Sequence, residues 1–552
     1  MSSHRYVQRD SPSPTLKSTY CLFPSIPISA DKRGQANPNF PRLLATLATD
    51  RRFDADELAV TIDILHDDVL LEIFDSYRKL VSYFDNEIWK WQKLLHVCRR
   101  WRHIVLSSPR RLSLRITCDP RTPTRKLLDI WPPFPISVSS SSTIMTDARR
   151  KDNIIAALER RDRIFRIDFS DIPSAELDQL VSTMEEPFPA LTHLRVYPDN
   201  LELDWDSTNM EATVRHVTPL PLPNAFLGRS APRLQELSLQ GISFPALPDL
   251  VLSTSHLHKL HLHSVPHAGY ISPQALVTVL LALPNLKSLT ISFASPESRP
   301  LQMSPPPLTR AVLPSLTHFR FSGASEYLAD FIAQIDTSLL NRLYMRFFSD
   351  LIFEIPRLYK FLDRGDERKP FTQAALGLRP AQAVIFLESP SGFKMDVASE
   401  VSDWLLKSMT RLCDQLTLLS QVERLEIHYW DGIEFQNEEE WQEIVDDPDW
   451  LELLNAFVSV KCLYIADRLG LILLSVLEKI TGERATGVLP ALQNLFISDL
   501  WPQEEFVEKT VASFVSARQL YDLPIVVRRW EREVQAVQEP DPDLLRSLRR
   551  HR

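Results

Sequence analysis

The stretch LPNLKSLTI, residues 283–291, carries the pattern that decides the fold of this chain. Three apolar residues, Leu286, Leu289 and Ile291, occupy the first, fourth and sixth places of a six-residue segment, and a proline lies just upstream. Alternation of this kind is typical of a short strand that points its apolar side chains into a core. The segment therefore predicts one buried strand, and it recurs.

Ten copies of the segment, written Φ-x-x-Φ-x-Φ with Φ apolar, follow one another from residue 164 to residue 497. They are IFRIDF (164–169), LTHLRV (191–196), LQELSL (234–239), LHKLHL (257–262), LKSLTI (286–291), LTHFRF (316–321), LNRLYM (340–345), VERLEI (422–427), VKCLYI (460–465) and LQNLFI (492–497). In the long gap between the seventh and eighth copies we expect a divergent copy around AVIFL (383–387).

This repetition predicts an α/β fold, an irregular leucine-rich-repeat solenoid whose parallel sheet is backed by helices and loops. Positions 1, 4 and 6 of each copy should face the core, and positions 3 and 5 the concave face. Apolar triplets also arise by chance in a chain that is 44% apolar. The upstream prolines, as in FPALTHL, APRLQEL and LPSLTHF, recur together with the spacing and favour repeats.

Position 5 of the copies forms a chemically varied set that we expect to contact a target protein. In chain order it reads Asp168, Arg195, Ser238, His261, Thr290, Arg320, Tyr344, Glu426, Tyr464 and Phe496. Exposed aromatic and arginine side chains are over-represented at interaction hot spots. The predicted target-binding residues are therefore Arg195, His261, Arg320, Tyr344, Tyr464 and Phe496, although unselected solvent-facing residues would look similar.

Two amphipathic stretches precede the repeats, and each predicts a helix. They are DADELAVTIDILHDDVLLEIFDSYRKL (54–80) and IWKWQKLLHVCRRWRHIVLSSP (88–109). A helical hairpin of this size has little core of its own and tends to bury its apolar side on a partner. It could equally cap the first repeat, because solenoids need covered ends.

These helices resemble an F-box, the module that docks on the adaptor of cullin-based SCF ubiquitin ligases. The resemblance lies in Leu65–Phe74, in the VCRRWR run (97–102) and in SPRRL (108–112). With TPTRKLLDIWPPFPI (122–136) and the repeats, residues 60–530 are similar to fungal, basidiomycete-type F-box proteins with degenerate leucine-rich repeats. Two departures are Leu65-His66, where an F-box usually has Leu-Pro, and a longer segment between the helices.

The resemblance implies a substrate-recognition subunit that binds the adaptor, and through it the cullin, while the repeats bind an unknown target. The implied adaptor-binding residues are Leu65, Val69, Leu70, Ile73, Phe74, Leu94, Val97, Cys98 and Trp101. Such a protein is not an enzyme and needs no cofactor. The alternative is an interaction scaffold whose altered F-box does not engage the ligase.

The composition argues against several other classes of protein. A net charge of −9 provides no large cationic field, so neither nucleic acid nor a membrane surface is expected as a partner. Only 12 glycines are present, and GxGxxG, GxxxxGK[ST], GxSxG and HExxH are missing. Five scattered cysteines, an odd number without a CxxC pair, fit free thiols in the cytoplasm or nucleus.

The stretch HLHKLHLHSVPH (256–267) holds five histidines and raises a third reading, a metal-dependent enzyme. In the repeat register its leucines take the core positions, and His261 and His263 fall on the same outward side. Zinc needs at least one more ligand, from His256, His258 or a neighbouring repeat. Surface histidines on a leucine-rich strand are the favoured interpretation, with no metal site.

The predicted organisation has five parts. They are a disordered segment (1–55), an F-box-like helical module (56–118), a Pro- and Ser-rich linker loop (119–150), the repeat solenoid (151–530) and a charged tail (531–552).

Overall fold

The computed structural model describes most of the chain from Ile64 to Trp530. The described residues are 64–84, 88–118, 124–141, 148–199, 203–205, 212–214, 220–300, 309–348, 355–362, 371–379, 382–400, 410, 413, 417–429, 449–465, 467–480, 484–498 and 504–530. The predicted disordered segment 1–55 and the tail 531–552 lie outside them. The chain divides into two compact units, Met1–Leu70 and Leu71–Arg552.

A single sheet of sixteen strands runs through the second unit. In chain order its strands are β1 (Ile116–Cys118), β2 (Ile136–Ser141), β3 (Ile164–Pro173), β4 (His193–Asp199), β5 (Glu236–Gln240), β6 (Lys259–Val265), β7 (Ser288–Phe293), β8 (His318–Gly323), β9 (Arg342–Phe347), β10 (Gln373–Arg379), β11 (Gln382–Glu388), β12 (Lys394–Glu400), β13 (Arg424–Tyr429), β14 (Cys462–Ile465), β15 (Asn494–Ser498) and β16 (Val526–Trp530). All ten predicted segments form strands of this sheet.

Helices occupy the returns between many of the strands. They are α1 (Asp67–Phe84), α2 (Arg99–Ser107), α3 (Thr124–Ile130), α4 (Ala148–Leu158), α5 (Ser174–Ser182), α6 (Leu247–Leu252), α7 (Pro273–Leu280), α8 (Ser325–Gln334), α9 (Ile355–Leu362), α10 (Asp449–Asn455), α11 (Asp467–Glu478), α12 (Arg484–Gly487) and α13 (Glu504–Gln519). Shorter 3₁₀ helices span Ile88–His96, Phe226–Arg229, His267–Gly269 and Thr417–Gln421. The predicted α/β class, a mostly parallel sheet backed by helices, is confirmed.

Three short strand pairs lie outside the main sheet. They are Leu203–Trp205 with Ala212–Val214, Leu220–Pro221 with Ile242–Ser243, and Ala311–Val312 with Ile335–Asp336.

The order of strands in the sheet departs from chain order at one place. It runs from β1 to β9, then β12, β11 and β10, and finally β13 to β16. Strand β11 is antiparallel to both of its neighbours, whereas the other pairings between the described strands of this sheet are parallel. The chain thus leaves β9, passes through α9, and fills the next three places backwards.

The prediction of a divergent repeat copy around AVIFL is therefore wrong, because the segment forms a strand that is antiparallel to its neighbours rather than a parallel repeat strand. Residues 383–387 lie in β11, the central strand of an antiparallel meander. Short loops suffice to join antiparallel strands, whereas a parallel neighbour needs a long crossover. The β11–β12 turn is tight: Ser389 N donates to Phe393 O at 3.0 Å, and Gly392 adopts φ +82°. Nothing in the six-residue repeat pattern encodes this reversal.

The expected linker loop over 119–150 is also wrong, because α3, β2 and the start of α4 lie within it. Phe134, Ile136 and Val138 are buried at the beginning of the sheet. Arg163 holds this stretch in place, donating from Nε to Phe134 O and from Nη2 to Pro132 O, both at 3.0 Å. Within β2, only Ile136 and Val138 alternate with serine, and two apolar residues are too few to predict a strand from the sequence.

The core lies between the sheet and its helices, and it is densely aromatic around β8. Phe321 is fully buried; its ring stacks on Tyr327 of α8 at 5.8 Å and lies 6.3 Å from Phe347 of β9. The Tyr327 hydroxyl donates to Ile271 O at 2.9 Å. Positions 4 and 6 of successive copies thus pack into one continuous layer. Leu260 and Leu262, which occupy these positions in β6, are buried as predicted.

Arg518 of α13 is a buried polar residue that supports the last repeat. Its side chain is 0% exposed, and Nη1 donates to the carbonyls of Val488 and Leu489 at 3.1 and 3.3 Å. Nη2 donates to Pro490 O at 3.3 Å. Leu489 has a φ of +49°, so the turn that Arg518 holds is locally strained.

We expect Arg518→Met to lower the free energy of unfolding by roughly 1–3 kcal/mol, because it leaves buried carbonyls without a donor. Urea unfolding measured by circular dichroism tests this. Replacing exposed Arg233 by Met is the control and should leave the midpoint unchanged. A midpoint equal to that of the wild type for Arg518→Met would contradict the supporting role.

Candidate functional site

The side of the sheet opposite the core, which we call the open face, carries positions 3, 5 and 7 of each repeat. In β9, for example, Leu343 and Met345 are buried, while Tyr344 and Arg346 between and beyond them are only partly buried. Because strand neighbours are paired in register, equal positions in successive repeats lie side by side. The open face thus carries rows of equal repeat positions, with a shift of register after Leu262 between β6 and β7.

One uninterrupted row contains every predicted position 5 residue. From β3 to β16 it reads Asp168, Arg195, Ser238, His261, Thr290, Arg320, Tyr344, Asp396, Phe386, Ala375, Glu426, Tyr464, Phe496 and Arg528. The predicted target-binding residues Arg195, His261, Arg320, Tyr344, Tyr464 and Phe496 all lie in it. Each is partly buried by its neighbours rather than fully exposed.

At the carboxyl-terminal part of the row, two aromatic rings are sandwiched between guanidinium groups. Tyr464 stacks on Phe496 with ring centroids 4.3 Å apart and planes 2° from parallel. Arg424 lies 4.1 Å from the Tyr464 centroid, and Arg528 lies 5.9 Å from that of Phe496. Cation–π contacts of this geometry rigidify surface side chains. The ring faces are thus already in contact with each other and with these guanidinium groups.

Near the middle of the row, Arg320 lies over the Tyr344 ring at 4.9 Å. Nearer the amino terminus, Arg195 lies over Tyr197 at 5.5 Å, and the Tyr197 hydroxyl lies 2.7 Å from the Ser238 Oγ. Arginine–aromatic pairing therefore recurs along the open face. Arg320 and Tyr344 are partners on neighbouring strands, whereas Arg195 and Tyr197 lie two residues apart on the same side of β4.

Asp396 of β12 is a residue of the row that the repeat pattern missed, because KMDVASE does not fit Φ-x-x-Φ-x-Φ. Burial raises the pKa of Asp396 from 3.8 to about 6. The surrounding cations, of which Arg342 and Arg320 are the foremost, act in the opposite direction and are outweighed. Desolvation of the charged form dominates here. The alternation of buried Met395 and Val397 around it was the available signal.

We expect Asp396→Asn to stabilise the fold at neutral and higher pH. A carboxyl group whose pKa is raised in the folded chain destabilises that chain when ionised, fully so above pH 6. The penalty disappears as the pH falls from about 6 to below the unfolded value near 4. The variant should gain roughly 1–3 kcal/mol near pH 8 and almost nothing near pH 4. Urea midpoints at the two pH values measure this, and equal effects at both would contradict it.

The histidines of 256–267 do not converge on one point. Nε2 of His261 lies 3.0 Å from Ser288 Oγ, while the His263 ring lies 5.8 Å from that of Tyr197. The rings of His261 and His263 are 5.8 Å apart, approaching edge to face. Within the described part of the chain, no three or more His, Cys, Asp or Glu side chains are placed to hold a metal ion.

The nine predicted adaptor-binding residues fall into three groups by burial. Leu70, Phe74 and Leu94 are buried, Leu65, Cys98 and Trp101 are partly buried, and Val69, Ile73 and Val97 are exposed. The prediction of partner contact is therefore wrong for these three residues, because their side chains are buried. Ile73 and Val97 are 44% and 56% exposed and stay available for a partner.

Cys98 and Trp101 serve the internal packing of the second unit. Cys98 is the N-cap of α2, and its Sγ accepts a hydrogen bond from Trp101 N at 3.4 Å. The Trp101 ring packs on Phe74 of α1 with centroids 4.7 Å apart. This contact fixes α2 against α1.

Trp91, in the 3₁₀ helix Ile88–His96, caps the first strand of the sheet. The ring is 2% exposed, and Nε1 donates to Arg115 O at 3.0 Å. Trp131 and Phe134 meet the ring edge to face at 5.7 and 5.8 Å. Trp91 therefore covers the beginning of the sheet, whereas Ile73 and Val97 face solvent.

None of the helices in the described ranges has the length and apolar character needed to cross a membrane. No family model matches the chain, and no curated protein matches it.

Proposed function

We propose that this protein is the substrate-recognition subunit of an SCF-type ubiquitin ligase, with F-box-like helices that hold the adaptor and leucine-rich repeats that hold a target. The observation that carries the proposal is the apolar surface of the helical module. Ile73 and Val97 stay exposed although Leu94 and Phe74 around them are buried. Large apolar side chains left exposed beside a well-packed interior are typical of a docking surface.

The resemblance to F-box proteins supports the same assignment, since Val97 belongs to the VCRRWR run and Ile73 to the segment Leu65–Phe74. One side of α2 is basic: Arg99 and Arg102 of this run, together with His103, line a shallow hollow on it. The proposed partner therefore presents an apolar surface with acidic groups at its rim.

The open face supplies the second half of the proposed function. It extends over sixteen strands and offers rows of half-buried arginine, aromatic and hydroxyl side chains. A ligase subunit of this kind catalyses no bond change itself. It raises the effective concentration of a target lysine near an activated thioester on another subunit. The cytoplasm or nucleus is the proposed compartment.

Co-purification tests the proposal. The full-length chain, expressed with an adaptor and a cullin, should elute from size exclusion as a complex containing all three. The whole chain is needed, because deleting the helical module would also remove Trp91 from the end of the sheet. Elution of the chain apart from adaptor and cullin would overturn the ligase assignment and leave the scaffold alternative.

A further inference from the structure

Four permanent cations converge on the open face where β8, β9 and β12 lie side by side. They are Arg320, Arg342, Arg346 and Lys394, which we call the basic block. Arg342 is paired in register with Lys394 on one side and with His318 on the other. Neighbouring strands lie about 4.8 Å apart, so Arg342 and Lys394 lie side by side, while Arg320 and Arg346 lie two and four residues further along on the same face.

Among the described residues, two carboxylates, those of Glu388 and Asp396, lie beside the block. Lys394 Nζ lies 3.3 Å from Glu388 Oε1, and Asp396 sits beside Tyr344. No carboxylate of the described residues lies within ion-pair distance of Arg342. The chain as a whole has a net charge of −9, so the block is a local reversal of sign. Such a patch attracts an anionic partner.

Hydroxyl groups extend the block on the side of β7. Ser288 and Ser292 are half-buried at positions 3 and 7 of that strand, next to His318 and Ser322, whereas Thr290 beside Arg320 is only 5% exposed. Ser288 Oγ already lies 3.0 Å from His261 Nε2, so the Ser292 hydroxyl and the guanidinium groups supply the hydrogen-bond donors here. Donor-rich, cationic surroundings are what carboxylates bind most strongly.

The spacing of the arginines along β9 favours an anionic ligand in extended conformation. Arg342 and Arg346 are four residues apart on one strand, with Tyr344 midway between them on the same side. Alternate residues of a strand repeat every 6.5–7 Å or so. An extended peptide has the same repeat, so acidic side chains at alternate positions would match the successive open-face positions of β9.

We infer that the basic block binds an acidic segment of a protein partner, in extended conformation and aligned with β9. A protein is favoured over single-stranded nucleic acid, because base stacking needs aromatic faces that are open. The aromatic ring within the block, Tyr344, already has Arg320 over it at 4.9 Å. The inference deepens the proposed function by naming the chemistry of the target, and it rests on that function for calling the partner a ubiquitination target.

Fluorescence anisotropy of the full-length chain tests the binding, with a labelled peptide of alternating Glu and Ser as the probe. Its Gln–Ser counterpart is the uncharged control, and should bind at least tenfold more weakly. Arg342→Gln and Arg346→Gln should each weaken the binding of the acidic peptide about tenfold, the loss expected for one charge-assisted contact. Asp396→Asn should strengthen it several-fold, because it removes a repelling carboxylate. Exposed Arg233→Gln, in the turn before β5, makes the same charge change off the block and should have no effect.

Three results would overturn the inference. They are equal affinity for the acidic and uncharged peptides, unchanged affinity in both arginine variants, and tighter binding of a single-stranded oligonucleotide than of the acidic peptide. The gain expected for Asp396→Asn does not depend on a loss of structure, so misfolding cannot imitate it. No adaptor is present in this assay, and its failure is therefore distinct from failure of the adaptor to co-purify.

Discussion

The double variant Ile73→Asp/Val97→Asp should lose the adaptor, with at least a hundredfold lower affinity. Each substitution places a charge where an apolar side chain would be buried on docking, and burying an unpaired charge costs several kcal/mol. A factor of a hundred corresponds to about 2.7 kcal/mol, which two such sites supply readily. Immobilising the adaptor and measuring binding of the purified chain by surface plasmon resonance gives the affinity directly.

The folded state should tolerate these changes, because both side chains already face solvent, 44% and 56% exposed. Leu252→Asp/Leu281→Asp is the matched control. These leucines end α6 and follow α7 on the helical side of the sheet, and they are 56% and 58% exposed. Adaptor affinity should be unchanged in the control. Retention of adaptor by the Ile73/Val97 variant would show that this surface is not the docking site.

Phe321→Ala should produce the largest loss of stability, about 3–5 kcal/mol, as expected for truncating a buried aromatic ring. Phe321 is 0% exposed and contacts rings from three elements: Tyr327 of α8, Phe347 of β9 and Phe293 of β7. The variant leaves a cavity between sheet and helix that rigid strands cannot close. Urea unfolding followed by circular dichroism measures the shift in midpoint.

Ser322→Ala is the control for that experiment, because Ser322 follows Phe321 on the same strand and points to the open face. A change of less than about 0.5 kcal/mol is expected there. Equal losses in the two variants would contradict the assignment of faces on β8. Phe321→Leu, which fills most of the cavity, should recover much of the stability.

The strands of the repeats were predictable because one local rule governs them. Leu257, Leu260 and Leu262 belong in the core whatever surrounds them, since a strand alternates its side chains and a parallel sheet aligns equal positions. The position 5 residues of the ten copies follow from that rule alone, whereas Asp396, Phe386 and Ala375, which complete the row between Tyr344 and Glu426, do not. Strands without the repeat pattern, such as β2 and β12, were not predicted, because β2 is rich in serine and β12 has only a short alternation of apolar residues.

The sequence did not predict which apolar residues of the helical module are buried in the core and which stay exposed for a partner. Val97 and Leu94 are equally apolar and lie three residues apart, yet one is exposed and the other buried. Leu94 lies in the 3₁₀ helix that Trp91 joins to Arg115 O beside β1, whereas Val97 follows the end of that helix. Amphipathic spacing identifies an apolar side but does not say what covers it.

The amino-acid sequence by itself determined the class of the fold, the register of ten strands and the six residues proposed to meet a target, because periodicity is a local property. Only the tertiary structure determined which charged residues of distant segments lie side by side on the open face. The backward meander places β12, not β10, beside β9, and so brings Lys394 and Asp396 next to Arg342 and Tyr344. That proximity depends on an order of strands that no local pattern encodes, and both the raised pKa of Asp396 and the basic block follow from it.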